Sequence, residues 1–316
     1  MKTIFLSCCM LCALVAKSQI VTEYYDWQWS KCEPGLSRFY SRIKNTDSGW
    51  LRNDFFTANN KLQMSGLYTD KEYKIRNGRF VYYNADGTVS SMGRYIDNKR
   101  DGTWLSFHKN GTVKDSTVYA MDKQTGTSLG WHENGYPSDS SVYKADGTAV
   151  HVSWYDNGTP SSAGRTVNNK MEGRWIYYHK NGKKAAIEDF HEGKLVSGSY
   201  YDEQETELGD KKNKDRDAEF NGGIAGWQKY LEKYLEFPTG YKLVNTDIVT
   251  IVISATIDED GNVESAYVEI PFKKPFDDEA LRIVKRSPRW KPAVRHNRTV
   301  KMIIRQPVSF KQIIEE

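Results

Sequence analysis

Cysteine is nearly missing from the part of this chain that could use it. There are four in 316 residues, and Cys8, Cys9 and Cys12 all fall within an N-terminal leader. Lys2 is followed by an apolar run from Ile4 to Ala16, and Ala16-Lys17-Ser18 has the small-x-small pattern of a signal peptidase site. Residues 1–18 therefore read as a signal peptide cleaved before Gln19, giving an exported protein in the periplasm or on the periplasmic face of the outer membrane. The run is short against the roughly 20 residues that a bilayer span needs. Inner-membrane anchoring by an uncleaved segment is the alternative. The three leader cysteines sit in poor lipobox contexts. With the leader removed only Cys32 remains, which excludes an intramolecular disulfide even in an oxidising compartment. Beside Trp27 and Trp29, Cys32 reads as a partly buried small hydrophobe, with pairing between chains or a reactive thiol as the other reading.

Other absences narrow the function. The net charge of +4 is small over this length and no Lys/Arg-rich arm exists, so nucleic acid is not an expected partner. The mature chain has no His-Glu-x-x-His, no phosphate loop and no Cys-His pair, so neither enzyme activity nor a cofactor is expected. What is abundant is Tyr (20), Trp (9) and Gly (24), the composition of folded β-rich protein. The length allows two domains, each with its own core.

One phrase recurs. It runs Gly78 to Gly87, Gly102 to Gly111, Gly126 to Gly135, Ala149 to Gly158 and Gly173 to Gly182, and its closing glycines stand 24, 24, 23 and 24 residues apart. A period of that size marks stacked supersecondary units that bury their faces only against neighbours. Asp-Gly or Asn-Gly ends each phrase, a hairpin signal because both residues tolerate the positive φ of a tight turn. Each unit is thus one β-hairpin. A degenerate copy begins at Gly49 and a partial one follows Gly193, so the array covers residues 49–203, after an aromatic lead segment at 19–48.

Two side-chain series in the array were candidate sites. His108, His132 and His179 share one register, but same-register positions two strands apart lie about 10 Å from each other, too far to share a zinc, so they read as turn positions rather than metal ligands. Phe80, Trp104, Trp131, Trp154 and Trp175 read as a stacked core ladder, with a carbohydrate or lipid platform as the other reading.

The run from Asp202 to Asp217 mixes both charges, holds no proline and reads as a solvated linker, with its boundaries at 204–217. Beyond it the pattern is α+β. Trp227, Tyr230, Leu231, Tyr234 and Leu235 fall at helical spacing before Phe237-Pro238; Ile248 to Ile257 is a β-branched strand, Asp258 to Gly261 a turn and Val263 to Ile270 the return strand. Phe276, Ala280, Leu281 and Val284 mark a second helix, with Asp277, Asp278 and Glu279 in its first turn. Val300, Met302, Ile304, Val308 and Phe310 alternate as a last strand. A hairpin followed by a helical crossover places that strand beside the first, in order 2-1-3, and Pro307 agrees with an edge position.

Within the array, the Gly-x-Trp-x-x-Tyr-x-x-Asn-Gly-Lys pattern at Gly173 to Lys183 resembles the short bacterial variety of MORN repeats. In the second half, Phe220-Asn-Gly-Gly223, Phe237-Pro238, Ile257-Asp-Glu-Asp-Gly-Asn-Val263, Asp278-Glu-Ala-Leu281, Ser287-Pro-Arg-Trp-Lys-Pro292 and Pro307-Val-Ser-Phe310 resemble, as an ordered set over 218–316, the C-terminal domain of TonB-family energy transducers. The resemblance implies a periplasmic domain that captures an extended segment of an outer-membrane receptor as an added strand. It places Phe237 and Pro238 where the family has a Tyr-Pro motif near the receptor contact. It also makes the stretch Val300, Lys301, Met302, Ile303, Ile304 and Arg305 the start of the pairing edge. Nine Lys or Arg and no acid lie between Arg282 and Arg305, a charge pattern that guards an edge against aggregation or attracts an acidic segment.

The expectation is a non-catalytic envelope protein that binds an outer-membrane receptor or another envelope protein through its edge strand, in energy-coupled transport if an anchor exists. The alternative is a structural repeat protein that binds glycan or a membrane surface and whose C-terminal domain forms a homodimer.

Overall fold

The structure, a computed structural model, describes residues 20–209 and 215–312, so the leader lies outside the described residues, as does the middle of the charged linker. The hairpins expected from the repeat phrase are all present: Arg76–Tyr83 with Val89–Ile96, Lys99–Phe107 with Val113–Ala120, Gly126–Trp131 with Pro137–Tyr143, Thr148–Trp154 with Pro160–Val167, and Lys170–Tyr178 with Lys184–His191. Neighbouring hairpins pair with each other, so sixteen strands form one antiparallel sheet in nearly unbroken chain order. The sheet begins upstream of the first repeat copy. Ile20–Tyr25 and Phe39–Thr46, from the aromatic lead segment, are its first two strands.

The turns differ from expectation in conformation. In the turns that end the repeat phrases only the closing glycine has positive φ, as at Gly111 (84°), while Asn110 keeps negative φ. These are three-residue loops closed by a glycine, with a register shift just before each, for example between Ser106 and Phe107. Within the array, the turns with two consecutive positive φ values lie at the other end of the strands: Asp97-Asn98, Met121-Asp122, Asn168-Asn169 and Glu192-Gly193.

The aromatic ladder also needs correction. Phe80, Trp104 and Trp175 share a register, and each covers a cross-strand glycine. A Cβ on Gly93 would stand 2.2 Å from the Trp104 ring, and one on Gly164 would stand 2.0 Å from Trp175. Trp131 and Trp154 belong to another register, three residues further along their units. Polar side chains occupy the ladder position there: Ser128 bonds Thr117 at 2.8 Å, and His151 bonds Ser141 and Thr166 at 2.8 and 2.9 Å. The ladder is therefore two aromatic clusters separated by a hydrogen-bonded polar stretch.

The histidines of the shared register tie units together. His108 Nε2 meets the Trp131 carbonyl at 2.7 Å, His132 that of Trp154 at 2.9 Å and His179 that of Tyr201 at 2.9 Å, while Tyr155 donates to Tyr178 at 2.7 Å. A parallel set runs along the turns, where Asn110, Asn134, Asn157 and Asn181 each donate to a carbonyl in the next turn. Asp86 occupies the asparagine position one unit earlier, and the rung becomes an ion pair with Lys109 at 3.3 Å.

The C-terminal domain has the expected order with one addition. Helices Gly223–Tyr234 and Lys274–Lys285 cover one face of a sheet ordered return strand (Val263–Ile270), central strand (Ile248–Ile257), final strand (Met302–Lys311). Ile251, Ile253 and Ile257 of the central strand meet Phe276, Ile283 and Val284 on that face. Its alternate residues are buried too, because the opposite sheet face lies against the array: Val252 and Ile270 join Tyr25, Phe39 and Phe56. Coverage on both sides explains why this strand reads as a nearly continuous apolar run. The addition is a short hairpin, Ala293–Arg295 with Arg298–Val300, just before the final strand.

Candidate partner-binding edge

The final strand pairs with the central strand along its whole length, from Met302 opposite Ile257 to Lys311 opposite Ile248. Among the described residues no strand pairs with its other edge. Pro307 sets the direction of its donors. Proline has no N–H and would leave a gap in the ladder if its nitrogen faced the central strand, so its position faces outward. Backbone direction alternates, and the N–H groups of Ile303, Arg305 and Ser309 therefore point to the open edge. Ile304, Val308 and Phe310 face the helices, while Ile303 lies on the other side and is 58% exposed.

The structure separates the residues expected to form the site. Val300 belongs to the short hairpin, opposite Ala293. Met302, Ile303, Ile304 and Arg305 are on the edge strand itself. Phe237 lies on the helix side, its ring against Phe276 with centroids 5.3 Å apart; Phe276 in turn touches Phe310 at 5.2 Å, so Phe237 is linked to the final strand through the core, and Pro238 beside it is half-buried.

Five of the nine basic residues of the stretch pair with acids within the chain. Lys301 lies 2.6 Å from Glu264 and 3.1 Å from Asp156, and against the cost of partial burial these carboxylates hold its ammonium well above the usual lysine range. Lys180 and Lys301 in turn bring Asp156 down to about 2. Arg305 pairs with Glu269 at 2.9 Å, Lys291 with Glu219 at 2.7 Å, Arg282 with Glu279 at 2.6 Å, and Arg295 with Asp217.

Sequence reasoning missed the residues that fasten this domain to the array. His296, Asn297 and Arg298 form the tip and start of the return strand in the short hairpin. Asn297 donates to the carbonyls of Ala185 and Tyr201 at 3.1 and 2.9 Å; Arg298 reaches the Tyr178 carbonyl at 3.0 Å and the Tyr155 hydroxyl at 3.1 Å. The one available signal was His296-Asn297 between alternating Val294-Arg295 and Arg298-Thr299-Val300, where both turn residues take positive φ. Across the rest of the seam, Lys109 stands 4.0 Å over the Tyr267 ring, and Lys301 reaches Asp156.

Residues 249–312 match the family described as Gram-negative bacterial TonB protein C-terminal, and residues 171–192 match the MORN repeat variant. The first match runs from the central strand to the end of the final strand; the second covers the hairpin of the fifth repeat phrase, Lys170–Tyr178 with Lys184–His191. The C-terminal unit thus carries a TonB C-terminal domain, and the strand-rich unit before it carries MORN-type repeats. None of the curated proteins compared with the chain matches it. Among the described residues no helix is long and apolar enough to cross a membrane.

Proposed function

We propose that this is a non-catalytic cell-envelope protein of the TonB family that captures an extended segment of an outer-membrane partner on the open edge of Met302–Lys311. The observation that carries the reading is the covering of the three-stranded sheet. Helices occupy one face and the array the other, so the sheet offers a partner its edges. On the final strand, Pro307 fixes outward donors at Ile303 and Arg305. In strand addition such backbone donors supply affinity and alternate side chains supply selectivity. Because the basic residues beside this edge already have acidic partners inside the chain, main-chain pairing is the larger contribution and charge attraction the smaller.

The array acts as a rigid bracket. Its rungs join successive units, and the seam holds the edge strand at a set position along the turn-bearing side. Energy-coupled transport is the role that the family adds, and it requires an anchor to pull against. The mature N-terminus, read by mass spectrometry of envelope protein, decides whether the leader supplies one.

The test uses the full chain and extended peptides from the N-termini of outer-membrane receptors. Ile303→Pro removes one outward donor and leaves the inner ladder intact, whereas Ile303→Thr keeps the donor. Binding should fall about tenfold or more for the proline variant and hold for threonine. Equal binding by a proline variant with unchanged circular dichroism rules out strand addition at this edge. Edge-dependent self-association in sedimentation would instead support the homodimer.

A further inference from the structure

A second cleft lies at the other end of the seam, where the first strands of the array meet the central strand of the C-terminal domain. It encloses about 350 Å³ and is lined by Trp27, Leu36, Arg38, Leu243, Ile248 and Phe272 among others, with Lys242 and Lys273 also on its wall. None of its lining side chains is acidic. The volume is at the small end of ligand pockets, which run from about 300 to 1,000 Å³.

Arg38 makes this more than a crevice. Its side chain is 94% buried by area, as its 6% exposure states, yet its guanidinium is poorly satisfied. One donor, on Nη2, reaches the Thr250 carbonyl at 3.3 Å; Nε is buried with no hydrogen-bond partner. The guanidinium carbon lies 4.2 Å from the centroid of the Phe272 ring. A guanidinium carries five N–H donors, and burying them unmatched costs free energy, so a site of this kind gains by accepting an anion. Asp277, the acid whose charge acts on Arg38, gives it no hydrogen bond. Asp277 accepts the Phe272 N–H at 2.8 Å, and burial pushes its carboxyl up to about 6 in spite of that bond and of Arg38. The apolar part of the wall is also unfilled: Val244 and Ile248 stand exposed at its rim.

We propose that this cleft binds a carboxylate carried on an apolar body, with Arg38 and the two lysines taking the anion and Leu36, Val244, Ile248 and Trp27 covering the apolar part. A planar carboxylate suits the paired donors of one guanidinium. A free aliphatic acid and the C-terminal carboxylate of a peptide ending in an apolar residue share this chemistry.

Isothermal titration of the full chain distinguishes them. The probes are octanoate, octanol, acetate, inorganic phosphate, and a short peptide ending in leucine with a free or an amidated C-terminus. Octanoate or the free-acid peptide should bind, and whichever binds identifies the source; octanol, acetate, phosphate and the amidated peptide should not. Lys242→Ala combined with Lys273→Ala changes two exposed side chains that the fold does not need, and should weaken binding about tenfold. Arg38→Met should abolish it. The proposal fails if neither acid binds, if octanol binds as well as octanoate, or if the double lysine variant binds unchanged.

Discussion

The imidazole of His296 lies flat on the ring of Tyr177, with centroids 3.7 Å apart and planes 7° from parallel. The same imidazole meets Glu188 through Nδ1 at 2.7 Å, and Glu188, which has no solvent exposure, also accepts from the Tyr200 hydroxyl at 3.0 Å. A carboxylate can only accept, so Nδ1 carries the hydrogen. One residue at a hairpin tip of the C-terminal domain thus completes both the stacking and the hydrogen bonding of the last aromatic cluster of the array.

His296→Ala should therefore destabilise the array as well as the seam, by about 2 to 3 kcal/mol, the range for losing a hydrogen bond to a charged group and leaving that group buried. Combining it with Glu188→Gln should recover part of the loss, since an amide costs less to leave half-paired. Urea denaturation followed by tryptophan fluorescence measures both. Additive losses in the double variant would show that the two side chains do not act on each other.

Trp175→Ala should cost about 3 to 5 kcal/mol as a large core truncation. The ring covers Gly164 and donates from Nε1 to the Arg165 carbonyl at 2.9 Å, so both packing and a hydrogen bond are lost. Gly164→Ala is the reciprocal probe: its Cβ must displace the ring, at about 1 to 3 kcal/mol. Thermal unfolding of the two variants checks the pair, and an unchanged Gly164→Ala melting temperature would mean that the ring moves aside freely.

Asp277 makes stability depend on pH in the direction opposite to most carboxylates. Its folded pKa is about 6 because of burial, whereas an unfolded aspartate titrates near about 3.9. The folded state binds the proton more tightly, so the contribution is present below about pH 4 and is lost as pH rises through about 6. Asp277→Asn keeps an acceptor for the Phe272 N–H and removes the titration. Discounted for partial exposure, the gain at neutral pH is on the order of 1 kcal/mol. Urea midpoints compared between acidic and neutral pH give the readout; a variant with the parent's slope across that interval contradicts the assignment.

Much of the fold was legible because its signals are local. The beat of closing glycines marked the hairpins, and the β-branched run at Ile248 to Ile257 marked the central strand with the bounds that the structure shows. The hairpin at Ala293 to Val300 was not legible: its strands are three residues each and its turn is His-Asn without glycine. The candidate edge was half legible. Alternation picked out the final strand, but that Phe237 points into the core and that Lys301 and Arg305 already have acidic partners depends on residues far away in the chain.

The sequence alone determined the hairpin period, the order of elements in the second half and the edge position of the last strand, since periodicity, turn chemistry and the missing proline N–H act over a few residues. Only the tertiary structure decided that the second sheet face is covered by the array, that the hairpin tip at His296 enters the last aromatic cluster, and that Arg38 is buried with unmet donors. Each of those rests on contacts between residues from about 100 to more than 200 positions apart, whose energies come from burial and desolvation and leave no periodic trace in the chain.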